Sequence, residues 1–362
     1  MITTTTQQHA LHQHLPSRTT ARAANSVDHQ AALATRLTAR DRWILALLHE
    51  HRVLTSQQLQ DAAFPSGRSA RQRLRDLYLW RAVSRFQPFQ QIGRAPMHYV
   101  LGPAGAGVLA AEYGLEVKDL GYRHDRAMSI AHNQRLAHTV GIGDFFTSLI
   151  ARTRYRPADS THGHSEAVTA WWSEARCARH FGDLVIPDAY GRWHTTDTEF
   201  EFFLEFDTGT ESLTKLSRKL IAYERLAEAT GIATAVLFWL PTTRREAGAR
   251  GALAQIHAGL DHTDTVPVAT AAADLLDPRA PHPSPAETVW LPLTSTSRRT
   301  PGRFDLAGLP DAWPGLAPPT ASTYDESEGP AADEGATAVR RLPPPTPIPP
   351  PASPNRIRRT DP

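Results

Sequence analysis

Ile186-Pro187-Asp188-Ala189 and, a little further on, Phe202-Phe203-Leu204-Glu205-Phe206-Asp207-Thr208-Gly209-Thr210-Glu211-Ser212 read as two adjacent β-strands that gather carboxylates. Side chains alternate between the two faces of a strand. Phe202, Leu204 and Phe206 therefore share one apolar face, and Glu205 and Asp207 point together to the other. A neighbouring strand that ends in Asp188 adds a third carboxylate. Oxygen ligands clustered in this way suit Mg²⁺ or Mn²⁺. Such an ion can activate water and stabilise a phosphodiester transition state. The competing reading of Glu205 and Asp207 is an exposed polar strand face. Against it, two acids flanked by Phe and Leu in a central strand are costly if buried unpaired.

The surrounding pattern places these strands in an α/β unit. A helix over about 132–153 comes first. Strands are expected at 168–178, 184–190 and 199–207, then a helix over about 211–229. Leu213, Leu216, Leu220 and Tyr223 form the apolar stripe of that helix. Thr234-Ala-Val-Leu-Phe-Trp-Leu240 is an almost wholly apolar run typical of a buried strand. A helix at about 244–258 and edge strands at 266–270 and 288–293 complete a mixed sheet with helices on its faces. Pro187-Asp188 with Glu205-Phe206-Asp207 resembles the PD-(D/E)XK nuclease core. In that family an Asp and a second acid bind the metal, and a Lys two residues after the acid positions water. Here Asp207 stands in the lysine's place. Some members supply the lysine from the next helix, where Lys215 and Lys219 lie on one side. Lys219 borders the apolar stripe beside Tyr223, so the resemblance assigns it the lysine role. It either leans toward the sheet or snorkels from the helix edge. Glu174, after Trp171-Trp172-Ser173, is a further acid near this group or simply a strand-edge acid.

Upstream, residues 37 to about 112 read as helix, helix, helix, hairpin. Thr38-Ala-Arg-Asp41 is a capping-box-like start, and Trp43, Ile44, Leu47 and Leu48 are the buried stripe that follows. Thr55-Ser-Gln-Gln58 opens a short second helix, and Ser66 caps a third that runs to about Trp80. Segments 83–88 and 97–101 read as the strands of a β-wing, with Gly93 and Pro96 in the turn. On the third helix Ala70, Leu74 and Leu77 fall on one side, and Arg68, Arg71 and Arg75 on the other. Arg85 and Arg94 lie on the wing. One helix face packs; the other offers guanidinium groups to phosphates and guanine edges of double-stranded DNA. A solvated basic face or a protein-binding winged helix are the alternatives.

The bulk numbers fit two folded units in 362 residues, with a net charge of only +2. The lone Cys177 excludes an intramolecular disulfide framework and fits a reducing cytosol, and no apolar run is long enough to span a bilayer. A cytoplasmic protein without membrane contact is expected. The expected division is a disordered tail at 1–35, a winged helix-turn-helix domain at 36–125, a restriction-endonuclease-like α/β (α+β) domain at 130–294 and a disordered proline-rich tail at 295–362. The last contains Leu342-Pro-Pro-Pro-Thr-Pro-Ile-Pro-Pro-Pro351, which favours extended polyproline II.

Taken together, Leu37-Thr-Ala-Arg-Asp-Arg42, Val53-Leu-Thr-Ser-Gln-Gln-Leu59, Phe64-Pro-Ser66, Tyr99-Val-Leu-Gly-Pro-Ala-Gly105, Pro187-Asp-Ala-Tyr-Gly191 and Phe203 to Ser212, with Lys219 and Tyr223, resemble the replication-relaxation family of actinobacterial and plasmid proteins. The resemblance covers about residues 37–250. It implies a role in plasmid or mobile-element replication and DNA relaxation, with other replication or conjugation proteins as partners. The sequence thus supports two functions: a DNA-binding factor with a metal-dependent nicking domain, or a non-enzymatic winged-helix regulator whose nuclease-like domain is vestigial.

Overall fold

The computed structural model of the chain describes residues 23, 25–155, 166–196, 198–294, 302–319 and 341–351. They belong to two compact units that meet in sequence between Ala131 and His132, with 341–351 belonging to the first. Both units are mixed α/β.

The first unit runs α1 (Val27–Arg36), α2 (Ala39–His51), β1 (Leu54–Thr55), α3 (Ser56–Ala63), α4 (Gly67–Leu79), β2 (Val83–Phe86), β3 (His98–Leu101), α5 (Pro103–Glu112) and α6 (His124–Ser129). Local chemistry sets its starts. Thr38 and Asp41 form a reciprocal capping box at α2, and Thr55 and Gln58 form another at α3. Ser66 caps α4 through the Ser69 amide. The strands make an antiparallel sheet in the order β1-β3-β2, so the expected wing hairpin gains a short third strand. Ala70, Leu74 and Leu77 are the buried residues of α4, as the 100° spacing requires.

The second unit runs α7 (Leu136–Tyr155), β4 (Ala167–Ser173), α8 (Glu174–Phe181), β5 (Ala189–His194), β6 (Glu199–Phe206), α9 (Leu213–Thr230), β7 (Ala235–Leu240), α10 (Thr243–His257), β8 (Val268–Ala272) and β9 (Leu291–Pro292). Its six strands lie in sequence order. They are antiparallel from β4 to β6, parallel from β6 to β8, and antiparallel again at β9. One sheet face packs aromatic rings under α7: Phe145 and Phe146 against Trp171, Phe202, Trp239 and Trp290. The other buries Phe203, Val236 and Phe238 under Leu216, Leu220 and Tyr223 of α9 and Leu253 of α10.

Four sequence expectations change. The N-terminal segment becomes helical at Val27, not after residue 35, because Ser26 caps a turn whose Leu33 is buried. The strand expected over 168–178 stops at Ser173, where the Ser173 hydroxyl accepts the Arg176 amide and starts α8. The strand expected over 184–190 begins instead at Ala189 and runs on to His194, so Asp188 precedes a strand and does not end one. The second unit also continues past residue 294. Phe304 bridges Trp290, and Leu306, Leu309 and Ala312 are buried. Residues 341–351 of the expected tail are also described, with Leu342 and Pro347 buried, whereas residues 1–22, 24, 295–301, 320–340 and 352–362 lie outside the described residues.

The 302–319 segment is held by charge as well as by apolar contact. Arg303 donates to both oxygens of Glu246, at 3.0 and 2.6 Å, and the Glu246 side chain is 3% exposed. Thr270 donates to the same carboxylate. Removing one partner of a buried pair strands the other charge. Arg303→Ala should therefore lower the stability of this unit by about 3 kcal/mol, measured by denaturant unfolding. Arg279→Ala, on an exposed turn, should leave it unchanged.

Candidate functional site

Register brings the first two carboxylates together. Ala189 of β5 pairs with Leu204 of β6, so Asp188 lies one step beyond, opposite Glu205. Asp188 Oδ2 accepts the backbone N–H of Phe206 at 2.9 Å, which fixes the carboxylate across the strand pair. Glu205 shares its sheet face with Phe203, beneath α9. Its side chain is fully buried, and both oxygens have donors. Lys219 donates to Oε2 and Tyr223 donates to Oε1. These two residues stand four apart on α9, one turn, so they reach the same carboxylate together.

A histidine that sequence reasoning did not single out completes the group. His138 of α7 places Nε2 3.2 Å from Asp188 Oδ2. Its ring stands edge-on to Phe206, with centroids 5.8 Å apart. Gly141, one turn later, makes this possible. A Cβ there would lie 2.4 Å from Cζ of Phe206, so only glycine admits the ring against the helix. A lone histidine in an apolar helix carries no sequence signal for such a role.

Asp207 goes elsewhere. Its face is the one alternation assigns, yet its oxygens accept from Arg245 of α10, with Nε at 2.7 Å, and from the Gly209 amide at 2.8 Å. Gly209, at φ +83°, turns the chain there. The structure therefore brings Asp188, Glu205 and Lys219 together and leaves Asp207 in a separate ion pair. Among the described residues no group of three or more His, Cys, Asp or Glu side chains is placed to hold a metal ion. Lys215 pairs with Glu211 at 2.6 Å, and Glu174 forms an exposed ion pair with Arg135 at 2.8 Å.

The electrostatics follow from burial and neighbours. Burial, then the nearby Asp188 charge, pushes Glu205 up to about 7 against the pull of Lys219. For Asp188 burial acts upward, but the His138 hydrogen bond and the charges of Lys219 and His138 prevail and hold it below the ordinary carboxylate value. Burial acts downward on His138, and the bond and charge of Asp188 outweigh it, so the imidazole is raised. Lys219 is raised as well: Glu205 and Asp188 together overcome its desolvation. Lys219 is thus a permanent cation, Glu205 exchanges its proton at about 7, and the imidazolium form of His138 is favoured by Asp188.

The arginines divide in the same manner. Arg68, Arg71 and Arg75 are exposed on the face of α4 opposite its buried stripe, and Arg94 is exposed between β2 and β3. Arg85 is half-buried. Its guanidinium lies 4.1 Å from the centre of the Tyr78 ring and bonds Tyr99. Arg73 pairs with the buried Asp41 of the α2 capping box and so ties α4 to α2.

Fold and site define a class: a two-unit α/β protein with an arginine-faced helix in one unit and a buried carboxylate–lysine–histidine group in the other. Residues 45–237, more than half of the chain, match the replication-relaxation family, and the chain belongs to it. No curated protein and no solved structure matches the chain. Among the described residues no helix is long and apolar enough to cross a membrane.

Glu205 and His138 both have raised pKa values in the folded chain. Each contributes stability that is complete below its unfolded pKa and is lost as pH rises through the folded one. Denaturant unfolding of the wild-type chain should show stability falling as pH rises from about 4.5 through about 7, the span set by Glu205, with His138 extending the fall above its ordinary imidazole value. His138→Gln should flatten that fall by removing one of the two groups. An equally steep fall in the variant would show that His138 titrates without Asp188.

Proposed function

We propose that the chain is a DNA-binding protein that acts in the replication and relaxation of plasmid or mobile-element DNA. In this reading the first unit is a winged helix that binds duplex DNA. The second is a PD-(D/E)XK-like module whose Asp188, Glu205 and Lys219 form a phosphodiester-nicking site. The observation that carries the reading is Lys219. It comes from the helix after the acidic strand and reaches Glu205 beside Asp188.

Mg²⁺ or Mn²⁺ fits this donor set in a limited way. Mg²⁺ is commonly held by one or two carboxylates and completed by phosphate oxygens and water. Asp188 and Glu205 are the residues that would hold it; Asp207, taken by Arg245, is not. The ion would supply charge stabilisation at the phosphate. Lys219, permanently protonated, adds positive charge where the transition state develops negative charge, and does not act as a base. His138, raised by the bond and charge of Asp188, favours its protonated form on the Asp188 side of the group.

A second reading keeps the DNA binding and makes the α/β module a vestigial, non-enzymatic regulator or assembly element. What favours it is the closed state of the group: Glu205 has no exposed surface, and both its oxygens are occupied.

Two measurements bear on these readings. Arg68→Ala/Arg71→Ala/Arg75→Ala should weaken duplex DNA binding and reduce the dependence of log affinity on log salt by about 3, because each phosphate contact releases a counterion. An unchanged slope in a folded variant would remove α4 as the DNA face. Supercoiled plasmid incubated with the wild-type chain and Mg²⁺ or Mn²⁺ should yield nicked circles. Lys219→Gln, which keeps a hydrogen-bond donor for Glu205, should abolish nicking and spare DNA binding. No nicking by the wild-type chain with either ion would favour the vestigial module.

A further inference from the structure

The proline-rich run near the C-terminus is not simply solvated. Leu342 and Pro347 are buried, whereas Thr346 and Ile348 on either side of Pro347 are exposed. The Trp43 indole N–H on α2 donates to the Thr346 carbonyl at 2.6 Å. Trp43 itself is only 7% exposed, and it belongs to the first unit, as residues 341–351 do.

The chemistry of such a contact is selective. Proline has no N–H, so the run Leu342-Pro-Pro-Pro-Thr-Pro-Ile-Pro-Pro-Pro351 offers many carbonyl acceptors and few donors. It also favours an extended polyproline II backbone that loses little entropy on docking. A surface that reads it needs a fixed donor beside an apolar seat. A tryptophan indole supplies both, since the donor is part of the ring. Trp43 has this form. The helix behind it is anchored by the fully buried Ile44, Leu47 and Leu48, so the indole is carried on a rigid element.

We propose that the Trp43 face of α2 is a docking site for an extended proline-rich peptide, and that its resident occupant is this chain's own 341–351 segment. The tether favours the resident. A segment carried on the same chain as its receptor meets it intramolecularly, whatever the protein concentration. A contact of modest affinity for a free peptide thus stays closed within one chain. A proline-rich segment of a replication partner would enter only after the resident is displaced. The contact lies within the first unit and is independent of whether that unit binds DNA.

The test follows the indole signals of the ¹⁵N-labelled full-length chain by NMR, with the Trp43 signal assigned by its loss in Trp43→Phe. Leu342→Asp/Pro347→Asp alters only the segment and leaves the core of the receptor intact. It should displace the Trp43 signal while the other indoles stay in place. A synthetic peptide of residues 341–351 should then return it toward the wild-type position, and at the same concentration should leave the wild-type signal unmoved. A Trp43 signal at the same position in the wild-type and doubly substituted chains would overturn the docking site. A wild-type signal that moves with protein concentration would overturn the assignment of the occupant, because the segment would then come from a second copy.

Discussion

The interaction on which the second unit depends is the burial of Glu205 beneath α9. A carboxylate with no exposed surface in the central part of a sheet is unfavourable unless every oxygen has a donor. Lys219 and Tyr223 meet that requirement from successive turns of one helix. The same two contacts fix the rotation of α9 over β6, since a slip would break both. Their stripe mates Leu216 and Leu220 are thereby set on Phe203 and Phe238. Packing and polar satisfaction specify one arrangement, which is what makes it unique.

Asp188 links this polar centre to the opposite layer. It accepts the Phe206 amide and His138 Nε2, and its charge is felt by Glu205. α7, β5, β6 and α9 thus meet at one end of the β5–β6 pair. Two carboxylates share one ammonium and one imidazole there. Such a group resists carrying both negative charges when the imidazole is neutral, so its protons are coupled. The Asp207–Arg245 pair is separate and fastens the end of β6 to α10. Three acids that alternation and proximity in sequence would group together are divided by their partners into a coupled pair and a structural clamp.

Period-based features were legible in the chain. The face of α4 that buries Ala70, Leu74 and Leu77, the strand, helix, strand order of β6, α9 and β7, and the place of Lys219 at the edge of the apolar stripe of α9 all follow from 100° and 180° spacing. What depended on partners distant in sequence was not legible. Arg245 lies far along the chain from Asp207 and reads locally as one of several basic residues at a helix start. His138 has meaning only once Gly141 admits the Phe206 ring. The 302–319 segment reads as a proline- and glycine-bearing tail because Arg303, Phe304 and Leu306 have no local partner; Glu246 and Trp290 supply what they need. Residues 341–351 likewise gain a contact from Trp43, 303 residues before Thr346 in the chain. α8 was obscured by the aromatic run before it, which hid Ser173 as a cap.

The coupling of Glu205 to Asp188 can be measured directly. Carboxyl ¹³C NMR on the full-length chain follows the Glu205 side chain through its titration, in the wild type and in Asp188→Asn. The account predicts a wild-type midpoint near the value of about 7 that burial and Asp188 impose. It predicts a lower midpoint in the variant, where the neighbouring charge is gone. A Glu205 midpoint in the ordinary carboxylate range, or one that does not move when Asp188 loses its charge, would contradict it.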